Sequence, residues 1–126
     1  MQDPRPSSPQ PPLIHQERPW GCWEVLAIGE GFKVKRMVVT PGYRLSLQKH
    51  LHRHEHWFVF GGEAHVTCED QCFQLAERET MTIPAGTLHR IENRGESPLI
   101  IIEIQIGDYC EEDDILRLDD DYARPR

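Results

Sequence analysis

Arg44-Leu45-Ser46-Leu47-Gln48-Lys49-His50-Leu51-His52-Arg53-His54-Glu55-His56-Trp57-Phe58-Val59-Phe60-Gly61-Gly62 reads as two extended segments, 44–52 and 56–60, joined at a histidine-rich bend. Successive side chains of a strand point to opposite faces, so Leu45, Leu47 and Leu51 share one side and Arg44, Ser46, Gln48, His50 and His52 share the other. With the leucines packed outward against a neighbouring layer, the polar set lines the interior of a small barrel. Four of the seven histidines, His50, His52, His54 and His56, fall within this run. Burying imidazoles without partners is expensive, and a metal or polar ligand removes that cost.

The same texture continues on both sides. Strands are expected at 23–28, 32–39, 63–68, 72–75, 80–83, 88–92 and 99–106, with turns at Gly29-Glu30-Gly31, Pro41-Gly42, Pro84-Ala85-Gly86 and Asn93-Arg94-Gly95. No segment before Asp108 repeats every 3.6 residues. The fold class is therefore all-β, a sandwich or barrel rather than a βαβ unit. The first dozen residues hold five prolines and almost nothing apolar, so residues 1–17 read as a flexible Pro-rich tail and 18–126 as the folded domain. Residues 108–126 carry eight acidic side chains, read as a solvated face, with Ile115, Leu116 and Leu118 anchoring a short helix.

Composition narrows the function. A chain of 126 residues, 38% hydrophobic and 28% charged, is the size and make-up of one soluble domain. A formal charge of −7 argues against nucleic-acid binding, which needs a basic face, but leaves room for a local basic pocket for a small anion. No apolar run exceeds four residues, so no membrane span is expected. No basic and apolar leader pattern precedes the domain, and a cytoplasmic location is expected. Cys22, Cys68, Cys72 and Cys110 accordingly read as reduced structural thiols.

Divalent borderline metals favour imidazole nitrogen with carboxylate oxygen. Glu55 lies just beyond the first strand, and Pro84-x-Gly86-x2-His89 places a further histidine after a turn, with Asn93 closing that segment. Two strand–turn units presenting such ligands inward would make a three- or four-ligand site with open positions.

These residues resemble the cupin superfamily, a double-stranded β-helix or small jelly-roll barrel, and more closely its type II mannose-6-phosphate isomerase domain. The similarity runs through Arg18-Pro-Trp-Gly21, Phe32-Lys-Val-Lys-Arg36, Leu45-Ser-Leu-Gln48, His50-x-His52-Arg53-x-Glu55-His56-Trp57, Ile83-Pro84-x-Gly86-x2-His89-Arg90, Glu92-Asn93, Ile102-Glu103-Ile104-Gln105 and Glu112-Asp-Asp-Ile115. In many bacteria this domain follows a mannose-1-phosphate guanylyltransferase; no nucleotide-binding glycine loop is found here, so guanylyl transfer is not expected. Leu51, His54 and Arg78 depart from the family pattern, Arg78 standing where many cupins carry glycine.

The resemblance implies a divalent metal, zinc foremost, with manganese, iron, nickel or cobalt also suited. Two ligand registers follow from it: Gln48, His50, Glu55 and His89, or His50, His52 and His56 (or Glu55) with His89. It further implies an aldose–ketose isomerase interconverting mannose 6-phosphate and fructose 6-phosphate through an enediolate. Arg53, His52 and His56 are the catalytic candidates, with His54 and Glu55 as further bases. Arg53, Arg90, Lys35 and Arg44 are the first phosphate candidates, with Lys33 and Arg36 behind them. The other readings are a non-catalytic cupin binding a sugar phosphate or small metabolite, and an iron-dependent oxygenase. A homodimer is the expected assembly.

Overall fold

The computed structural model describes residues 10–122. Residues 1–9, half of the expected tail, lie outside the described residues. The rest forms eleven strands: β1 (Ile14–Arg18), β2 (Gly21–Gly29), β3 (Phe32–Val39), β4 (Leu47–Lys49), β5 (Arg53–Gly61), β6 (Ala64–Cys68), β7 (Gln71–Leu75), β8 (Thr80–Ile83), β9 (His89–Glu92), β10 (Leu99–Gly107) and β11 (Leu116–Asp119). They make a six-stranded sheet in the order β1-β2-β3-β10-β5-β8 and a five-stranded sheet in the order β11-β4-β9-β6-β7, every pairing antiparallel. This is the all-β cupin architecture. Among the described residues no helix is long and apolar enough to cross a membrane. All four cysteines are free thiols.

The central strands fix where polarity sits inside the barrel. On β10 the inward residues are Leu99, Ile101, Glu103 and Gln105, set opposite Val39, Met37, Lys35 and Lys33 of β3. On its other side, Ile101, Glu103 and Gln105 face Val59, Trp57 and Glu55 of β5. One half of the interior is therefore apolar, built on Val39, Val59, Leu99 and Ile101, all fully buried, together with Val66 and Ile91. The other half carries buried charge. Apolar burial at roughly 25 cal/mol per Å² stabilises the first half and underwrites the desolvation cost of the second.

Several expectations are corrected. β1 begins at Ile14, inside the segment read as tail. Its side chains are mostly exposed, so its order comes from the backbone ladder to β2, from Ile14 opposite Val25 to Arg18 opposite Gly21. The segment 44–52 is not one strand: only Leu47–Lys49 is regular, and Leu45 and Ser46 are both buried in succession, which breaks the alternation and turns Leu45 into the core. The expected helix at Ile115–Leu118 is instead β11, which satisfies the edge of β4, with Leu116 and Leu118 left exposed. β5 starts three residues earlier than expected, at Arg53.

Glycine is required at Gly62, whose φ of +81° and approach of 2.6 Å between a built Cβ and the Pro98 carbonyl oxygen exclude a side chain. Arg78, by contrast, adopts a φ of 72° without being glycine, at the position where the resemblance implies glycine.

Candidate metal centre

Three side chains converge in the charged half of the barrel. Glu55 comes from β5, His89 from the start of β9, and His50 from the bend after β4. His50 Nε2 lies 3.2 Å from Glu55 Oε2, and His89 Nε2 lies 3.6 Å from Glu55 Oε1. One donor atom from each of the three lies within 4.8 Å of the others, and all three residues are buried. Gln48 stands beside them, directly opposite His89 in the β4–β9 ladder. Its amide makes no hydrogen bond to another described residue.

Both imidazoles have their tautomer set from outside. His50 Nδ1 is 2.6 Å from the Asp114 carbonyl oxygen and His89 Nδ1 is 2.9 Å from that of Thr87, so each Nδ1–H donates outward; the His50 Nε2 lone pair then faces the Arg53 Nη2 donor at 3.4 Å beside Glu55, and His89 Nε2 turns toward Glu55. Burial, reinforced by the neighbouring Arg53 charge, pulls His50 down to about 4, and burial likewise lowers His89. Both rings are therefore neutral near pH 7, the form that ligates metal. This group is able to hold a divalent cation.

A second layer fixes Glu55. Arg53 donates through Nε to Glu55 Oε2 at 3.1 Å, with Nη2 3.0 Å from the same oxygen. Trp57 Nε1 is shared between Glu55 Oε1 at 3.2 Å and Glu103 Oε1 at 3.1 Å, and Gln105 Nε2 donates to Glu103 Oε2 at 3.0 Å. Burial first, and the Glu55 charge next, push the Glu103 carboxyl up to about 7. Gln105 Oε1 is the buried side-chain atom left without a partner among the described residues.

The site opens into a cavity of about 110 Å³ whose walls include Arg18, Lys35, Arg117, Glu103 and Glu112 together with Trp23. Of the phosphate candidates, Arg53 and Lys35 line it. Arg53 spends its donors on Glu55, on His50 Nε2 at 3.4 Å and, through Nη1, on the Glu111 carbonyl at 3.1 Å. Arg90 does not reach the cavity: it bonds the Leu45 carbonyl and both the side chain and carbonyl of Asp119, pinning β11. Arg44 is held by a fork to Asp121 at 2.7 and 3.0 Å, and Arg36 by Glu24. Asn93 braces its turn through the Val39 and Ser97 carbonyls.

The histidines expected as catalytic groups lie elsewhere. On β5 the inward positions are Arg53, Glu55 and Trp57, which puts His54 and His56 on the outer face. There His54 Nδ1 accepts from the Ala85 amide and His56 Nδ1 pairs with Thr82 Oγ1. His52 is exposed, its ring edge-on to Tyr109 at 5.8 Å. The register using His52 and His56 is therefore not assembled. Glu103, Glu112, Arg18 and Arg117 were missed. The sequence signal for Glu103 was present: with Gln105 it is one of two inward polar residues in the apolar run of β10.

Comparison with known proteins agrees with this architecture. The model of the family described as "Mannose-6-phosphate isomerase C-terminal" matches residues 12–120. The alginate biosynthesis protein AlgA of Pseudomonas aeruginosa is 51% identical over 85% of this chain and 22% of its own length. The mannose-1-phosphate guanylyltransferase ManC of Salmonella typhimurium is 46% identical over 88% of this chain and 24% of its own. The chain thus spans less than a quarter of these relatives. Among solved structures, oxalate decarboxylase from Bacillus subtilis superposes with a TM-score of 0.75 at 20% identity, covering 83% of this chain and 30% of that one. The Schizosaccharomyces pombe Cnp3 cupin domain gives 0.65 at 14%, covering 76% and 69%. Fold, motif positions and family match converge: the chain belongs to the mannose-6-phosphate isomerase C-terminal family of cupins.

Proposed function

We propose that this domain is a metal-dependent aldose–ketose isomerase interconverting mannose 6-phosphate and fructose 6-phosphate, serving polysaccharide biosynthesis. The observation that carries the reading is the charge of the cavity. In a chain of net charge −7, its walls bring four cationic side chains, Arg18, Lys35, Arg53 and Arg117, against the carboxylates of Glu55, Glu103 and Glu112. Four cations against three carboxylates leave the recess one formal charge positive in an anionic protein, which favours an anionic ligand.

A divalent cation held by His50, Glu55 and His89, with the Gln48 amide oxygen as a further donor, would supply Lewis-acid polarisation of the sugar's carbonyl and hydroxyl oxygens. Arg53 and Trp57 keep the Glu55 carboxylate oriented. With His52, His54 and His56 outside, the proton that moves between C2 and C1 falls to Glu103, a cavity carboxyl held by Trp57 and Gln105. The cationic wall holds the phosphoryl end, which fixes the open-chain sugar against these groups.

The test is conversion of mannose 6-phosphate by the metal-reconstituted protein, with exchange of the C2 proton for solvent deuterium. Conversion with exchange is expected. A folded, metal-loaded protein that binds sugar phosphate without exchange would overturn the isomerase reading in favour of a binding module.

A homodimer is part of the proposal. Its support is the outer face of β3, β10 and β5, where Phe32, Phe58, Phe60 and Ile106 are 42%, 37%, 56% and 50% exposed.

A further inference from the structure

Lys33 and Lys35 follow one another on the inner face of β3 and are each only 5% exposed. A buried ammonium is costly unless it is paired. Lys35 Nζ sits 4.1 Å from the centroid of the Trp23 ring and donates to Glu112 Oε1 at 2.8 Å. Lys33 Nζ lies 3.7 Å from Glu112 Oε2. One carboxylate therefore bridges two ammonium groups with its two oxygens.

That carboxylate arrives from outside the barrel core, on the segment between β10 and β11. Its side chain is 42% exposed, against 7% and 6% for the lysines, so it caps the solvent side of the pair. The backbone around it is held independently. The Glu111 carbonyl accepts from Arg53, and the Asp114 carboxylate accepts from the Leu51 and His52 amides at 2.9 Å each. The Glu112 side chain can leave its seat without releasing the segment that carries it.

We propose that Lys35 in the cavity wall, backed by Lys33 across the same carboxylate, is the phosphoryl seat of the cavity and that the Glu112 carboxylate is a built-in occupant which the incoming phosphoryl group displaces. The ligand class rests on the reading under Proposed function; the seat and its occupant rest on the geometry above. A phosphate dianion brings more charge and one more oxygen than a carboxylate, so it can exchange with Glu112 on the same donors. An uncharged hexose cannot, and Glu112 then keeps the seat closed to it. The tethered carboxylate competes at a high effective concentration, which lowers apparent affinity for every anion that must displace it.

The test uses the full chain and inorganic phosphate as the probe, titrated calorimetrically, with unphosphorylated mannose as the control. Glu112→Gln removes the competing charge and should tighten phosphate binding roughly tenfold, with mannose affinity unmoved. Lys35→Gln should abolish phosphate binding, its fold checked by circular dichroism. Glu112 lies on the surface, so its variant decides the matter even if Lys35→Gln fails to fold. Unchanged or weakened phosphate binding in Glu112→Gln would overturn the proposal and make Glu112 a structural ion pair. The titration needs no turnover: tight phosphate binding by a protein without isomerase activity would count against the proposed reaction and leave this seat standing.

Discussion

Glu103 carries the sharpest expectation at the scale of the residue. Its carboxylate accepts from Trp57 and Gln105, and Gln105 Oε1 has no partner among the described residues. Glu103→Gln keeps the shape, and a flip of Gln105 would offer that oxygen to the new amide. The variant should therefore fold and retain metal while losing C2 proton exchange by roughly a hundredfold or more. Near-normal exchange would remove Glu103 from the proton path. The imidazoles set a pH dependence. His50 and His89 have folded-state values below the ordinary 6.5, His50 at about 4, so protonation favours the unfolded chain. The His50 contribution is complete above about 6.5 and is lost as pH falls through about 4, and His89 adds to the loss below 6.5. Melting of the metal-free protein should decline across that window, and the decline should shrink in His50→Gln/His89→Gln; an equal decline in both proteins would contradict the assignment.

His50 was legible from strand parity and His89 from the turn before it, whereas Glu55 came from the family resemblance. The structure places His52 and His56 outside the barrel for one reason. Inward positions are even-numbered at Gln48 and His50 but odd-numbered at Arg53, Glu55 and Trp57, so parity inverts at residues 51–52. That bend has no local signature. It is held by Asp114, more than sixty positions away, whose carboxylate takes both bend amides.

At the scale of the element, the acidic segment after β10 proves to be part of the site. Composition showed only a charged stretch, whereas its Asp114 shapes the bend and its carbonyl orients His50. Burial opposes ionisation of Asp114, yet the two amides hold its carboxyl below the usual range. Asp114→Ala leaves the Leu51 and His52 amides without their acceptor and should cost about 1–3 kcal/mol. It should also weaken metal binding roughly tenfold to a hundredfold, as loss of an outer partner does elsewhere. Chemical denaturation and metal titration would check the two effects; lost stability with unaltered metal affinity would sever the segment from the site. β11 was misassigned because Ile115, Leu116 and Leu118, the outer two lying three positions apart, suggested an apolar helical stripe, while the edge of β4 offered backbone bonds that no local pattern reveals.

The barrel as a whole divides its interior by register. Pairing β10 with β3 and β5 stacks apolar residues at one end and Lys35, Glu103 and Glu55 at the other. The fold was legible from period-two patterning and turn residues, but which end held the charge depended on long-range pairing. The apolar outer face of the same strands, with Phe32 opposite Ile106 in the ladder, should bury itself in a dimer. Sedimentation equilibrium should give twice the chain mass, with Phe60→Lys shifting it to the monomer; a monomeric parent protein would contradict this.

A cation held by His50, Glu55 and His89 is the centre of the proposed chemistry. Elemental analysis of protein purified without a histidine tag, beside a His50→Ala/His89→Ala variant confirmed as folded, tests it directly. The expected result is roughly one divalent ion per chain in the parent and none in the variant. A parent free of metal after reconstitution, or a variant that keeps its metal, would contradict it.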